Sequence, residues 1–148
     1  MLLISHRGNM HGPSNNENHP DQITLALKEG FQIEIDVWYL KNDFFLGHDE
    51  PTYKVSEKFL MNENFWLHAK NLDALSFLSE KKTNCFWHQE DNYTLTSKGY
   101  IWSYIGMTSS RLSKKTISVL PEINNSDLNY FCGICSDYIY KYRSQLKK

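Results

Sequence analysis

Two acids, Glu34 and Asp36, stand two residues apart in the apolar run Phe31-Gln32-Ile33-Glu34-Ile35-Asp36-Val37-Trp38. The run has no helix breaker and is rich in Ile, Val and aromatic residues, so residues 31–40 read as a buried strand. Strand side chains alternate between faces, which sends both carboxylates to the same side. Paired acids on an apolar strand are costly: each loses hydration and each opposes ionisation of the other. A divalent cation or a bound cationic group removes that cost. A tight turn at Lys41-Asn42-Asp43 leads into a second strand, 44–47, which delivers His48 beside them. A surface hairpin with solvated acids is the plain alternative, but Ile33, Ile35, Val37 and Trp38 leave little of the strand polar enough for it.

The elements that must position these residues follow from the chain in order. Residues 2–5 form a short apolar strand that runs into His6-Arg7-Gly8. Between 9 and 20, Gly12, Pro13, Ser14, Asn15, Asn16, Asn18 and Pro20 deny regular structure. Asp21 caps a predicted helix that Gly30 ends, and Ser56 caps a short turn of helix reaching about Met61. In Phe65-Trp66-Leu67-His68-Ala69-Lys70, alternation places His68 and Lys70 on one face of another strand. Asn71 or Asp73 opens a helix through Lys82, with Leu72, Leu75, Phe77 and Leu78 as its apolar side. Strands are predicted at 85–89, 100–104, 117–120 and 130–136, then a closing helix at 138–146 with Lys147-Lys148 as its solvated end.

The totals narrow the possibilities. A chain of 148 residues with 41% hydrophobic and 22% charged residues has the composition of one globular domain, spanning 1–148, and not of a disordered segment. A formal charge of -1 gives no reason to expect a nucleic acid or an acidic membrane as partner. No apolar run approaches the roughly 18 residues of a membrane span, and Met1-Leu2-Leu3-Ile4-Ser5 lacks a basic leader, so a cytoplasmic location is the expectation. Cys85, Cys132 and Cys135 are an odd set, and two of them sit in an apolar run, where reduced buried thiols are expected rather than a disulfide framework.

Eight predicted strands, with chemistry-bearing residues at the ends of several and helices after some, suggest an α/β fold of the (β/α)8 type. Such barrels typically need about 250 residues, so the expected form is a reduced barrel with several outer helices missing. His6-Arg7-Gly8 after the first strand, Glu17-Asn18 before the first helix, Glu34-Ile35-Asp36 on the second strand and His48-Asp49 after the third resemble the glycerophosphodiester phosphodiesterase family. Those enzymes belong to the phosphatidylinositol-phospholipase-like TIM-barrel phosphodiesterases. Tyr100-Ile101-Trp102-Ser103 and Gly133-Ile134-Cys135-Ser136-Asp137-Tyr138 are similar to that family's tryptophan-bearing and last-strand motifs.

The resemblance implies His6 and His48 as the catalytic acid and base, in an order it leaves open. It implies Glu34 and Asp36 as ligands of a divalent metal, Mg²⁺ or Ca²⁺, and Arg7, Lys70, Trp102 and Glu17 around the substrate. The residue types suit this independently. Carboxylates are hard oxygen ligands, the Arg7 fork matches phosphate, and two histidines can divide the proton transfers. Where the family has a third carboxylate ligand, this chain has His68, a departure that leaves open a shift toward Mn²⁺ or Zn²⁺, weaker metal binding or an inactive site. Glu90 and Glu122 are alternative third donors, with His88 and Gln89 close to the first. Asp137 either faces the site or caps the last helix.

The function expected is therefore metal-dependent hydrolysis of a small glycerophosphodiester-like substrate. A non-catalytic barrel binding a phosphate-bearing ligand and a metal-independent, phospholipase-like lyase are the alternatives. The oligomeric state stays open.

Overall fold

The computed structural model describes residues 1–104, 113–123 and 127–146. Lys147 and Lys148, expected as a solvated helix end, lie outside the described residues.

Among the described residues, apolar strand segments pair into one ten-stranded sheet with four short helices. The strands are β1 (Leu2–His6), β2 (Gln32–Leu40), β3 (Asp43–Leu46), β4 (Tyr53–Val55), β5 (Phe65–Ala69), β6 (Asn84–Phe86), β7 (Tyr93–Leu95), β8 (Ile101–Tyr104), β9 (Thr116–Val119) and β10 (Gly133–Ser136). The helices are α1 (Pro20–Lys28), α2 (Glu57–Leu60), α3 (Leu72–Ser79) and α4 (Ile139–Leu146). Seven strands run parallel, in the order β6-β5-β2-β1-β10-β9-β8. Strand β7 pairs antiparallel with β8, and β3 and β4 form antiparallel additions to β2.

The expected (β/α)8 barrel is not what forms. The molecule is a curled, mixed, mostly parallel sheet with too few helices for that architecture. The physical reason lies in the connections. Lys41 and Asn42 both take left-handed backbone angles, φ 50 and 67. A two-residue turn of that kind closes an antiparallel hairpin, whereas a parallel crossover needs a dozen or more residues. The segment 44–47, expected as the third barrel strand, therefore folds back on β2. The backbone bonds follow: the Glu34 carbonyl accepts from the Arg7 amide of the β1 edge at 2.9 Å, and the next carbonyl on that edge, of Asp36, accepts from Gly47 at 3.2 Å. Strands β4 and β7 were not predicted, being three residues long and largely exposed.

Period-two alternation divides the residues between the two faces of the sheet. Ile33, Ile35, Val37, Leu67, Ala69 and Ile134 pack outward against Ile23 and Ala26 of α1, Ala74 and Leu78 of α3 and Ile139 and Tyr142 of α4. Fully burying one such aliphatic side chain contributes about 1.5–3 kcal/mol. The other face carries Ile4, Trp66, Phe86, Trp102, Ile117, Val119 and Cys135 as a second cluster inside the curl. Phe86 of β6 and Trp102 of β8 meet there at 4.8 Å between ring centres, and the Ser97 amide donates to the Cys85 carbonyl at 2.8 Å. The two ends of the parallel sheet thus approach each other, although no strand ladder joins β6 to β8 among the described residues. Gly133 fits this curvature, since a Cβ there would lie 2.7 Å from Leu2 Cβ and 2.8 Å from Ile117 Cδ1. The three cysteines are free thiols.

Candidate metal and phosphate site

The same alternation that turns Ile33, Ile35 and Val37 toward the helices turns Glu34 and Asp36 into the curl. Register then fixes their neighbours: His6 stands opposite Glu34, and His68 opposite Asp36. One ligand atom each from Glu34, Asp36 and His68 lies within 4.8 Å of the others, and all three residues are buried.

Asp36 is the most heavily held. Its Oδ2 accepts from Asn18 Nδ2 at 2.9 Å and lies 3.1 Å from Arg7 Nε. Its Oδ1 lies 3.0 Å from His68 Nδ1 and 3.5 Å from Lys70 Nζ. Burial alone would raise its pKa, but His68, Arg7 and Lys70 outweigh that and hold it well below the usual carboxylate range. Glu34 has the opposite balance. Burial and the charge of Asp36 push its pKa up against the charges of His6 and Arg7, and the nearest basic side-chain atoms, His6 Nε2 and His68 Nδ1, are each 3.8 Å away.

The donor set fits a divalent ion. Glu34 Oε2 and Asp36 Oδ1 are buried without a hydrogen-bond partner, a cost that Lys70 Nζ at 3.5 Å offsets for Asp36 Oδ1, whereas Glu34 Oε2 has His6 Nε2 3.8 Å away. His68 Nε2 lies 3.2 Å from the His88 carbonyl, which can only accept, so a proton sits on that nitrogen and Nδ1 is the ring atom turned to the acids. The His68 ring stacks against Phe86 and His88, at 5.1 and 4.5 Å, which lie 6.0 Å from each other. The 3.0 Å between His68 Nδ1 and Asp36 Oδ1 is close to the spacing of adjacent ligands in an octahedral shell with bonds of about 2.1 Å.

His6, at the end of β1, is gripped by Asp137: Nδ1 and Oδ1 are 2.8 Å apart. Burial lowers its pKa, yet the Asp137 hydrogen bond and the Glu34 charge outweigh that and Arg7, so the net direction is up. Arg7 follows with φ 52 and donates to Glu17 Oε2 at 3.0 Å. Asn9, fully buried, joins the two clusters by donating to Glu17 Oε1 at 2.7 Å and Asp137 Oδ1 at 2.8 Å.

A cavity of about 260 Å³ opens over this floor, lined by His6, Arg7, Glu34 and His68 and, toward its rim, by His48, His88, Glu90 and Tyr104. His48 is set by Gly47, where φ is 149 and a Cβ would fall 2.0 Å from the Glu50 carbonyl oxygen. Its ring is 41% exposed and bonds Asp49 at 2.7 Å. Trp102 lines the cavity while packing on Phe86 and Trp66. His88 is pushed down to about 4 by burial, His68 and Lys70.

The geometry thus brings together His6, Arg7, Glu17, Glu34, Asp36, His68 and Lys70 and leaves His48 at the rim. The alternative third donors stand apart from this group: Glu90 is exposed, and Glu122 Oε1 instead accepts from the Asp137 amide at 3.0 Å. Asp137 faces His6, and the Ser136 hydroxyl accepts from the Tyr138 amide at 2.9 Å just before α4. Sequence reasoning missed Asn9 and the bonding role of Asn18. The signal available for Asn18 was its place beside Glu17 in a loop rich in turn residues, since Asn tolerates left-handed backbone angles. No protein-family model, curated protein or solved structure matches the chain.

Proposed function

We propose that the chain is a metal-dependent phosphodiesterase that hydrolyses a small glycerophosphodiester-like substrate. The observation that carries this reading is the buried Glu34/Asp36/His68 donor set, of which Glu34 and His68 line a cavity together with Arg7 and His6, with Asp137 bonded to His6. Glu34, Asp36 and His68 would hold the ion, which when bound supplies charge neutralisation at the phosphoryl oxygens. Arg7 and Lys70 flank Asp36 and supply the cationic groups for the phosphate.

His6, oriented by Asp137, is suited to proton transfer. A water proton is removed as its oxygen bonds to phosphorus, the bond from phosphorus to one alcohol oxygen breaks, and a second group returns a proton to that alkoxide. His48 is the second histidine in reach of the cavity. Catalysis by a buried, aligned histidine with a carboxylate behind it is the arrangement that makes such transfers effective. The products are a phosphomonoester and a free alcohol.

Binding of a phosphate ligand without turnover is the second reading, favoured by the exposure of His48 and its bond to Asp49. No helix among the described residues is long and apolar enough to cross a membrane. Release of alcohol from glycerophosphodiesters and from bis(4-nitrophenyl) phosphate, with Mg²⁺, Mn²⁺, Ca²⁺ or Zn²⁺ and with chelator, tests the proposal. Chelator-sensitive turnover is expected. Turnover that persists in chelator fits a lyase, and none under any metal fits a binder.

A further inference from the structure

Asn18 makes three bonds that no other residue of its loop makes. Its side-chain Nδ2 donates to Asp36 Oδ2 at 2.9 Å, its Oδ1 accepts from the Asp36 backbone amide at 2.9 Å, and its own amide donates to the Arg7 carbonyl at 2.9 Å. The residue is 1% exposed and sits at φ 62, in the left-handed region. Asn is among the few side chains that occupy that region at modest cost, so both its backbone angle and its amide group suit the position.

The bonds select which oxygen of Asp36 is free. With Oδ2 taken by the amide, and with the Asp36 backbone held by the same side chain, the carboxylate cannot rotate about its last torsion without breaking a buried bond. Oδ1 is then left directed at His68 Nδ1, 3.0 Å away, with Lys70 Nζ at 3.5 Å and no hydrogen bond of its own. The amide of Arg7 is meanwhile bonded to the Glu34 carbonyl at 2.9 Å. Arg7 is therefore held at both its amide and its carbonyl, by the strand that bears the acids and by Asn18. One residue in the first loop ties together the metal-facing carboxylate and the backbone of the phosphate-facing arginine.

We infer that Asn18 is a positioning residue, whose side-chain amide presets Asp36 Oδ1 toward the metal and whose backbone registers Arg7 to it. This rests on the reading of Glu34, Asp36 and His68 as a metal centre. Outer hydrogen bonds of this kind typically change metal affinity by about 10–100-fold. Loss of a packing contact alone would lower stability and leave affinity where it was.

Calorimetric titration of Mn²⁺ into the full chain and into Asn18→Gly separates the possibilities, because glycine accepts φ 62 and removes only the amide group. The expected result is Mn²⁺ binding to the wild type and about 10–100-fold weaker binding to Asn18→Gly. Should that variant fail to fold, the wild type itself carries a second test. The Asn18 side-chain amide protons, followed by ¹⁵N–¹H correlation, should exchange slowly with solvent and shift in step with Mg²⁺ occupancy. Equal Mn²⁺ affinity in the two proteins, or Asn18 amide protons that exchange freely and ignore Mg²⁺, overturns the role of Asn18 alone. A wild type that takes up no Mn²⁺ and no Mg²⁺ overturns the metal reading beneath it.

Discussion

His6 is held from both sides, by Asp137 at 2.8 Å and Glu34 at 3.8 Å, while His48, bordering the same cavity, is 41% exposed and bonded to Asp49. The difference extends beyond the two rings. The floor of the cavity comes from the parallel strands β1, β2 and β5, whose inward positions are fixed by register and whose charges are linked through Asn9, Asn18 and Asp137. The rim comes from the segment after β3 and from the exposed connection containing Gln89, Glu90, Asp91 and Asn92. A side chain locked by packing and buried bonds needs little further ordering when substrate arrives, whereas an exposed one must be fixed at that moment. On the proposed function, the floor would carry the chemistry and the rim would meet what lies beyond the phosphate.

The largest expected effect tests that division directly. His6→Ala should lower turnover of a diester with a poor leaving alcohol by about 10²–10⁴-fold, the usual contribution of a positioned proton-transfer group. His48→Ala should cost less, and should leave stability within about 0.5 kcal/mol because its side chain is exposed. Steady-state kinetics and melting of both variants make the comparison. Equal losses would mean that substrate orders the rim as firmly as the fold orders the floor.

Next in size is the response to metal. A divalent ion at 100 times its Kd should stabilise the chain by about 2.7 kcal/mol. Asp36→Asn should abolish that gain, while Glu90→Gln at the rim should keep it. Calorimetric melting in chelator and in Mg²⁺, Mn²⁺ or Zn²⁺ measures both. A gain that survives Asp36→Asn but is lost with Glu90→Gln would move the ion from floor to rim.

Much of the floor was legible because period two is a local property. The two-residue spacings of Glu34 with Asp36 and of His68 with Lys70 placed each pair on one face before any pairing was known. The N-caps Ser56 and Asn71 were legible for the same reason, each bonding an amide three residues on, Phe59 and Ala74. First-helix capping was misplaced by two residues: the side chain of His19, not Asp21, accepts from a backbone amide there. The overall closure was not legible, because it depends on which segments pair. The Lys41-Asn42 turn already implied an antiparallel hairpin, and counting 44–47 as a barrel strand overlooked it. Asn9 and Asn18 were hidden because their partners, Asp137 and Asp36, are 128 and 18 residues away.

A smaller effect is expected from charge at the floor. His68→Glu adds a carboxylate beside Glu34 and Asp36, and affinity for hard ions rises with the number of charged oxygen ligands. Mg²⁺ or Ca²⁺ should bind about tenfold more tightly, a change of about 1.4 kcal/mol, and the preference for Zn²⁺ over Mg²⁺ should shrink. Titration of each ion into both proteins decides this. Affinities that do not move would place His68 among packed side chains, held by Phe86 and His88, and outside the ion's shell.

The smallest expected effect concerns the His6–Asp137 pair in metal-free protein. Asp137 would be raised by burial but is held low by the His6 hydrogen bond and charge and by Asn9. A lowered carboxyl contributes stability above its unfolded pKa of about 3.9 and loses it as pH falls through the folded value. His6 is shifted up, so its contribution is complete below its unfolded pKa of about 6.5 and is lost as pH rises through the folded value. The pair is therefore strongest between about pH 4 and 6.5. Asp137→Asn removes it from both directions, while the raised Glu34 carboxyl is present in both proteins and largely cancels. The stability difference between wild type and Asp137→Asn should peak in that window, at on the order of 1 kcal/mol given the partial exposure of Asp137, and shrink toward pH 3 and toward pH 9. Urea denaturation across that range in chelator measures the difference. A difference that stays constant with pH would mean that Asp137 stabilises the chain through Asn9 and the backbone alone, and that His6 is no more firmly held than His48.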